Sequence, residues 1–168
     1  MKVSERLIER LQKREALIGI IGLGYVGLPL ALRFSESGYR VLGFDTDPDK
    51  PPQLAAGRSY FKHIGDERVQ AARERGFTAT NDYSHAAETD ALIICVPTPL
   101  REHREPDISF VTGTVDNLSP FLREGQVIAL ESTTYPGTTE EELRPRIEQA
   151  GFKIGHDCFL VYSPERED

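Results

Sequence analysis

Three glycines in six residues, Gly22-Leu23-Gly24-Tyr25-Val26-Gly27, stand directly after the apolar run Ala16-Leu17-Ile18-Gly19-Ile20-Ile21. A short continuous apolar run of this kind reads as a strand buried on both faces, as in a parallel sheet. Leu28 to Ser37 reads as a helix with Gly38 as its stop, and Arg40 to Phe44 as a second strand ending at Asp45. Strand, glycine turn, helix and strand within about thirty residues make a βαβ unit. In that setting Gly22 permits the tight turn and Gly24 lets a ligand approach the backbone with no Cβ in the way. Gly27 lets the helix lie close on the strand. The helix start then offers free N–H groups and the positive end of its dipole, which suits a phosphate.

The alternation continues to the end of the chain. Asp66 to Arg75 is a charged helix stopped by Gly76, Phe77 to Thr80 a short strand, and Asn81-Asp82 a turn. Ala91 to Val96 is a strongly apolar strand ended by Pro97-Thr98-Pro99. Asp107 caps a helix with apolar positions Ile108, Val111, Val115 and Leu118, and Gln126 to Leu130 is a strand. A helix opens at Thr138 or Thr139 and runs to about Ala150, with Pro145 expected to kink it or shift its start. Phe159 to Tyr162 is the last strand. Six strands alternating with helices specify an α/β doubly wound parallel sheet of the Rossmann type, and right-handed crossovers favour the order 3-2-1-4-5-6. Residues 1–15 are expected to form an appended helix, capped by Ser4 and packed through Val3, Leu7, Ile8 and Leu11. Residues 16–168 then form the sheet domain. The stretch from Pro48 to Asp66, with Pro51-Pro52, fits either loop or helix.

The glycine turn in this context predicts a dinucleotide, with its pyrophosphate over Gly22, Gly24, Tyr25, Val26 and Gly27. Asp45 lies 18 residues beyond Gly27 at a strand end. Its carboxylate can accept hydrogen bonds from both hydroxyls of an adenosine ribose, and its charge opposes a 2′-phosphate, so NAD is expected over NADP. Lys50 either reaches the adenosine ribose or a phosphate, or stays in solvent.

The balance of charge narrows the partners. With a net charge of −7 over 168 residues, a general nucleic-acid or acidic-membrane surface is not expected, because both need a basic patch. A phosphate held by backbone N–H groups is compatible with that charge. No apolar run is long enough for a membrane-spanning helix and the charged start is no secretory signal, so a cytoplasmic protein is expected. His63, His85, His103 and His156 lie far apart and pair with no Cys at ligand spacing, so no metal site is expected. Cys95 and Cys158 fall in apolar runs and read as buried thiols in strand cores rather than a disulfide.

Four motifs in order carry a resemblance. They are Gly22-Leu23-Gly24-Tyr25-Val26-Gly27-Leu28-Pro29, Val96-Pro97-Thr98-Pro99, Glu131-Ser132-Thr133 and Ser163-Pro164-Glu165-Arg166. From Gly19 onward the sequence resembles the UDP-glucose/GDP-mannose dehydrogenase family. Through Arg104-Glu105-Pro106-Asp107 and the segment from Tyr162 to Asp168 it looks most like the branch acting on UDP-N-acetyl-hexosamines. The resemblance implies oxidation of the C6 alcohol of a UDP-sugar to a carboxylate with two NAD, through a thiohemiacetal on a cysteine that keeps the aldehyde from escaping. It implies that Thr133 helps order the catalytic water and that Glu165 is a general base or water-positioning residue. Pro97, Thr98 and Glu131 then line the nicotinamide side of the cofactor cleft. It also implies that the nucleophilic cysteine and its partners lie beyond position 168. The chain is thus expected to be a fragment lacking the substrate domain, inactive alone and part of a homo-oligomer when whole.

Other readings stay open at this level. The glycine turn and fold also suit a β-hydroxyacid-type dehydrogenase, which has no need of the Thr133 and Ser163-Pro164-Glu165 motifs. A non-catalytic NAD-sensing module would bind the dinucleotide and ignore any sugar. Thr133 as a loop hydroxyl bonded to its own backbone, and Glu131 as a solvated strand end, are the plain alternatives to their functional roles.

Overall fold

In the computed structural model, which describes residues 1–164, six strands form one sheet: β1 (Leu17–Ile21), β2 (Arg40–Phe44), β3 (Thr78–Thr80), β4 (Ala91–Ile94), β5 (Val127–Leu130) and β6 (Phe159–Tyr162). All pairings are parallel and the order is β3-β2-β1-β4-β5-β6, as the alternation predicts. The six strands fall on the runs read from the sequence, with ends moved by a residue or two.

Alternate strand residues feed two cores. Ile18, Ile20, Val41 and Ile93 pack under Leu28 and Leu32 of α2 (Gly27–Glu36) and Val69 of α4 (Asp66–Glu74). On the opposite face Ile21, Phe44, Leu92 and Ile94 meet Val111 and Val115 of α5 (Ser109–Leu118) and Ile147 of α6 (Arg144–Gln149). Strands buried on both faces have no polar side, which is why they read as unbroken apolar runs.

The cap of the first helix differs from its reading, the open choice between loop and helix after Pro48 is decided, and Pro145 shifts a helix start as expected. Ser4 does not cap α1 (Val3–Gln12). The cap is Lys2, whose N–H donates to the Glu5 carboxylate at 2.9 Å. Leu7 is buried on that helix, but Ile8 faces solvent, so the apolar stripe is narrower than its sequence suggests. Part of the stretch after Pro48 is helical. α3 (Lys50–Ala55) places Pro51 and Pro52 in its first turn, where a missing N–H costs no intrahelical bond. Ahead of α6 the chain makes a π turn over Thr139–Leu143, and the regular helix begins with Pro145 in its first turn. Among the described residues no helix is long and apolar enough to cross a membrane.

One feature of the register positions the site. Phe44, Ile21, Ile94, Leu130 and Tyr162 are partners across β2, β1, β4, β5 and β6. The residues that follow them therefore emerge in one row at the carboxyl edge: Asp45, Gly22, Cys95, Glu131 and Ser163. Backbone bonds carry the pairing into that row, Gly22 N–H to the Phe44 carbonyl at 2.8 Å and Cys95 N–H to that of Ile21 at 2.7 Å. Glu131 N–H reaches Ile94 at 3.0 Å and Ser163 N–H reaches Leu130 at 2.9 Å.

Candidate cofactor cleft

The carboxyl edge opens into a cleft of about 760 Å³ whose floor is the glycine loop. The loop's shape follows from its glycines. Gly22 has φ +91°, and a Cβ there would lie 2.7 Å from the Cys95 carbonyl oxygen. At Gly27 an added methyl would overlap the Gly22 carbonyl oxygen, so helix and strand meet backbone to backbone. Gly27 accordingly sits behind the loop and does not line the cleft. Gly24 is the opposite case: a Cβ there would meet nothing within 4 Å. The bare backbone at Gly24 serves no internal packing and leaves the space above it open. Leu28 is the first residue of α2 whose N–H finds a carbonyl, that of Gly24 at 3.1 Å, so the N–H groups of the loop residues just before it meet no helical carbonyl.

At one end of the cleft stands Asp45, buried to 8 % exposure. Its Oδ2 accepts from Leu23 N–H at 2.9 Å and from Lys50 Nζ at 3.0 Å, and its Oδ1 accepts from Asp47 N–H at 2.9 Å. Lys50 is therefore paired rather than solvated, and its ammonium also lies 5.4 Å from the centre of the Tyr60 ring. Tyr60 in turn donates its hydroxyl to the Leu23 carbonyl, within the glycine loop. Burial, with Asp45 and Asp47 adding to it, pushes the Tyr60 hydroxyl well above its ordinary pKa, so it stays protonated as a donor.

The cleft's other end is made by the ends of β4 and β5. Pro97, Thr98, Glu131 and Thr133 all line it, together with Tyr25 and Val26 from the loop. The Ser132 hydroxyl donates to the Val96 carbonyl at 2.8 Å and ties the two strand ends together. Thr133, exposed, projects beyond that tie. The structure thus brings together every residue singled out for the site except Gly27, which is a packing residue, and Glu165, which lies outside the described residues.

Cys95 requires a correction. β4 stops at Ile94, so Cys95 is not in a strand core; it is half-buried at the carboxyl edge and lines the cleft. Cys158 is buried as expected, one residue before β6 at the opposite edge, and burial pushes its thiol up to about 11. Sequence reasoning also missed Tyr83 and Phe110 as cleft residues. Tyr83 opens a 3₁₀ helix (Tyr83–Glu88) with no apolar period to announce it. Phe110 lies on the outer side of α5, 52 % exposed, where an aromatic residue off the core stripe was the available signal.

The edge can hold a long ligand that is anionic in the middle, beside loop N–H groups that meet no helical carbonyl, and hydroxylated at one end, where a carboxylate and an ammonium meet. Comparisons with known proteins agree. The model of the UDP-glucose/GDP-mannose dehydrogenase family, NAD binding domain, matches residues 16–168. A UDP-N-acetyl-D-glucosamine 6-dehydrogenase of Salmonella typhi is 37% identical over 153 residues, covering 90% of this chain and 35% of that protein. The UDP-N-acetyl-mannosamine dehydrogenase of Staphylococcus aureus superposes with a TM-score of 0.82 at 35% identity, over 90% of this chain and 37% of that one. The NDP-N-acetyl-D-galactosaminuronic acid dehydrogenase of Methanosarcina mazei Go1 gives 0.84 at 32% identity, over 100% and 38%. The chain spans roughly a third of the length of the curated relatives it matches. A Rossmann sheet, a glycine loop with its acid, and a family match over nearly the whole chain lead to one conclusion: this chain belongs to the UDP-glucose/GDP-mannose dehydrogenase family and comprises its NAD-binding domain.

Proposed function

We propose that the chain is the cofactor part of an enzyme that oxidises the C6 alcohol of a UDP-N-acetyl-hexosamine to the carboxylate with two NAD. The observation that carries this is the convergence of the glycine loop, Asp45, Thr98, Glu131 and Thr133 on one cleft at the carboxyl edge of the sheet. The names of relatives 31–37% identical, UDP-N-acetyl-D-glucosamine 6-dehydrogenases and UDP-N-acetyl-D-mannosamine dehydrogenases, support the substrate class. The β-hydroxyacid reading is not favoured by the family match.

The cleft residues fit NAD on the chain's own geometry: open space over Gly24, N–H groups without carbonyls at the start of α2, and a buried carboxylate at the ribose end. In this assignment Gly22, Gly24, Tyr25 and Val26 hold the pyrophosphate through backbone N–H groups, and Gly27 lets α2 come close enough to do so. Asp45 and Lys50 receive the adenosine ribose. Pro97, Thr98 and Glu131 shape the nicotinamide end. NAD supplies the hydride acceptor when bound. Thr133 holds a water by its hydroxyl and Glu165 takes the proton from it. The UDP-sugar is bound with residues of the rest of the protein, which is proposed to be a homo-oligomer.

Calorimetric titration of this chain with NAD tests the reading. Binding is expected, and Asp45→Ala is expected to weaken it by about 1–3 kcal/mol, the range for charge-assisted hydrogen bonds. A folded chain with no heat of binding at millimolar NAD overturns the assignment.

A further inference from the structure

The ribose corner is not the simple negative site that a strand-end acid suggests. Each oxygen of a carboxylate has about two acceptor positions. Oδ2 of Asp45 fills both, with Leu23 N–H at 2.9 Å and Lys50 Nζ at 3.0 Å, while Oδ1 has used one on Asp47 N–H. The ammonium of Lys50 faces the same cleft, with its side chain 24 % exposed. Asp45 and Lys50 form an ion pair, so neither charge stands alone in the corner. Asp47 and Asp49 do not line the cleft, and Asp47 accepts from the N–H of Asp49 at 2.9 Å, although the charge of Asp47 is still felt at Tyr60. Thr46 does line it and offers a hydroxyl.

Resting on the assignment of NAD to this cleft, we propose that Lys50 is the residue that sets how strongly the site discriminates between a free 2′-hydroxyl and a 2′-phosphate on the adenosine ribose. Asp45 acts on that choice largely by holding Lys50. An unpaired carboxylate would reject a 2′-phosphate by repulsion alone. Here the repulsion is offset by a cation 3.0 Å away, and what the phosphate loses is access to that cation. The Tyr60 ring keeps the lysine head at this place, and Tyr60 is itself fixed to the glycine loop through Leu23. Two consequences follow that a lone ribose acid would not give. Removing the lysine charge should sharpen the preference for NAD, because bare repulsion is left behind. Neutralising Asp45 should turn the freed ammonium, with the Thr46 hydroxyl, into a receptor for the 2′-phosphate.

The test is the ratio of NAD to NADP affinity, measured by calorimetry for the parent chain, Asp45→Asn, Lys50→Met and the double variant, each checked for folding by thermal melting. Lys50→Met is expected to weaken NADP at least tenfold more than it weakens NAD. Asp45→Asn is expected to strengthen NADP relative to NAD by tenfold or more, and that gain should vanish in the double variant. A gain that persists in the double variant, or a ratio unmoved by Lys50→Met, overturns the proposal. If Lys50→Met melts early, Lys50→Gln, which keeps most of the stem, decides in the same way. The outcomes separate from the underlying assignment: a parent chain that binds neither dinucleotide removes the cofactor reading itself. One that binds NAD with a ratio blind to Lys50 removes this inference alone.

Discussion

The three glycines of the loop look equivalent in sequence, yet at the scale of single residues they divide into two kinds. Gly22 and Gly27 are required by the protein: one has a positive φ and the other leaves no room for a methyl against the Gly22 carbonyl. Gly24 has neither constraint, since its φ is not positive and a Cβ would stand in open space. Gly24→Ala is therefore expected to leave the melting temperature within about 2 °C of the parent, because a methyl added in open space without strain changes stability by only about a few tenths of a kcal/mol. It should nonetheless weaken NAD binding tenfold or more, because the methyl fills the approach to the pyrophosphate. Gly27→Ala should lower the melting temperature strongly, by the mechanism of backbone overpacking at about 1–3 kcal/mol or more. Differential scanning fluorimetry with and without NAD distinguishes the two; equal loss of stability in both variants defeats the division. The residues of this loop and Asp45 could be read from the sequence because their chemistry is local, within one βαβ unit. Tyr83 and Phe110 could not, because they reach the cleft from segments whose sequences carry no period or motif pointing there. Cys95 was misplaced for a related reason: an apolar run shows where a strand is and does not show the residue at which it leaves the sheet.

Among the elements, α1 shows how a helix with a single buried side chain is held. Arg10 places Nε 3.2 Å and Nη2 3.0 Å from the carboxylate of Asp90, which also accepts from Leu17 N–H at 2.8 Å and from Arg123 Nη2 at 3.0 Å. One carboxylate at the amino edge of the sheet thus joins α1, the start of β1 and the segment before β5. Burial raises the Asp90 carboxyl, but Arg10, Leu17 and Arg123 together more than reverse this and leave its pKa below the ordinary value of 3.8. A carboxyl depressed in the folded state stabilises the protein above its unfolded pKa, and that contribution fades as pH falls through the folded value. Asp90→Asn keeps the shape and removes the charge. It is expected to cost about 1–2 kcal/mol near neutrality, at the low end for such a cluster because both guanidinium groups are about two-fifths exposed. The difference between the variants in chemical denaturation should shrink below about pH 4. A difference that is constant from pH 7 to pH 3 sinks the electrostatic account. The sequence shows α1 and β4 as elements through their periods, but the clamp joining them pairs residues 80 positions apart, and no local pattern marks it. The Pro48–Asp66 stretch stayed open between loop and helix for a local reason: two prolines fit a loop, and the first turn of a helix tolerates both.

At the scale of the whole molecule, the sheet sends its two thiols to opposite edges, and this bears on what the chain can do alone. Cys158 stands at the amino edge, buried, with its thiol raised to about 11, so almost none of it is thiolate at neutral pH. Cys95 is at the cleft, but wedged behind the glycine loop: its carbonyl oxygen lies 2.7 Å, and its Cβ 3.4 Å, from where methyl groups on Gly22 and Gly27 would stand. A nucleophile there would have to attack across the floor that is proposed to carry the pyrophosphate, not at the nicotinamide end where a sugar C6 would sit. A step that holds an aldehyde as a covalent adduct needs a thiolate within bonding reach of that carbon, oriented before the reaction. Neither cysteine of this chain meets that condition. The chain, mixed with UDP-N-acetylglucosamine and NAD, is therefore expected to bind NAD and to form no NADH, as read by NADH absorbance over hours. On the proposed role of Thr133 in the whole enzyme, Thr133→Ala is expected to lower kcat far more than it weakens NAD, by up to the roughly 10²–10⁴-fold that positioned proton-transfer machinery contributes. If the isolated chain makes NADH and loses that activity on Cys95→Ser, then the covalent step belongs to this domain, and the division between a cofactor part here and a nucleophile elsewhere is wrong.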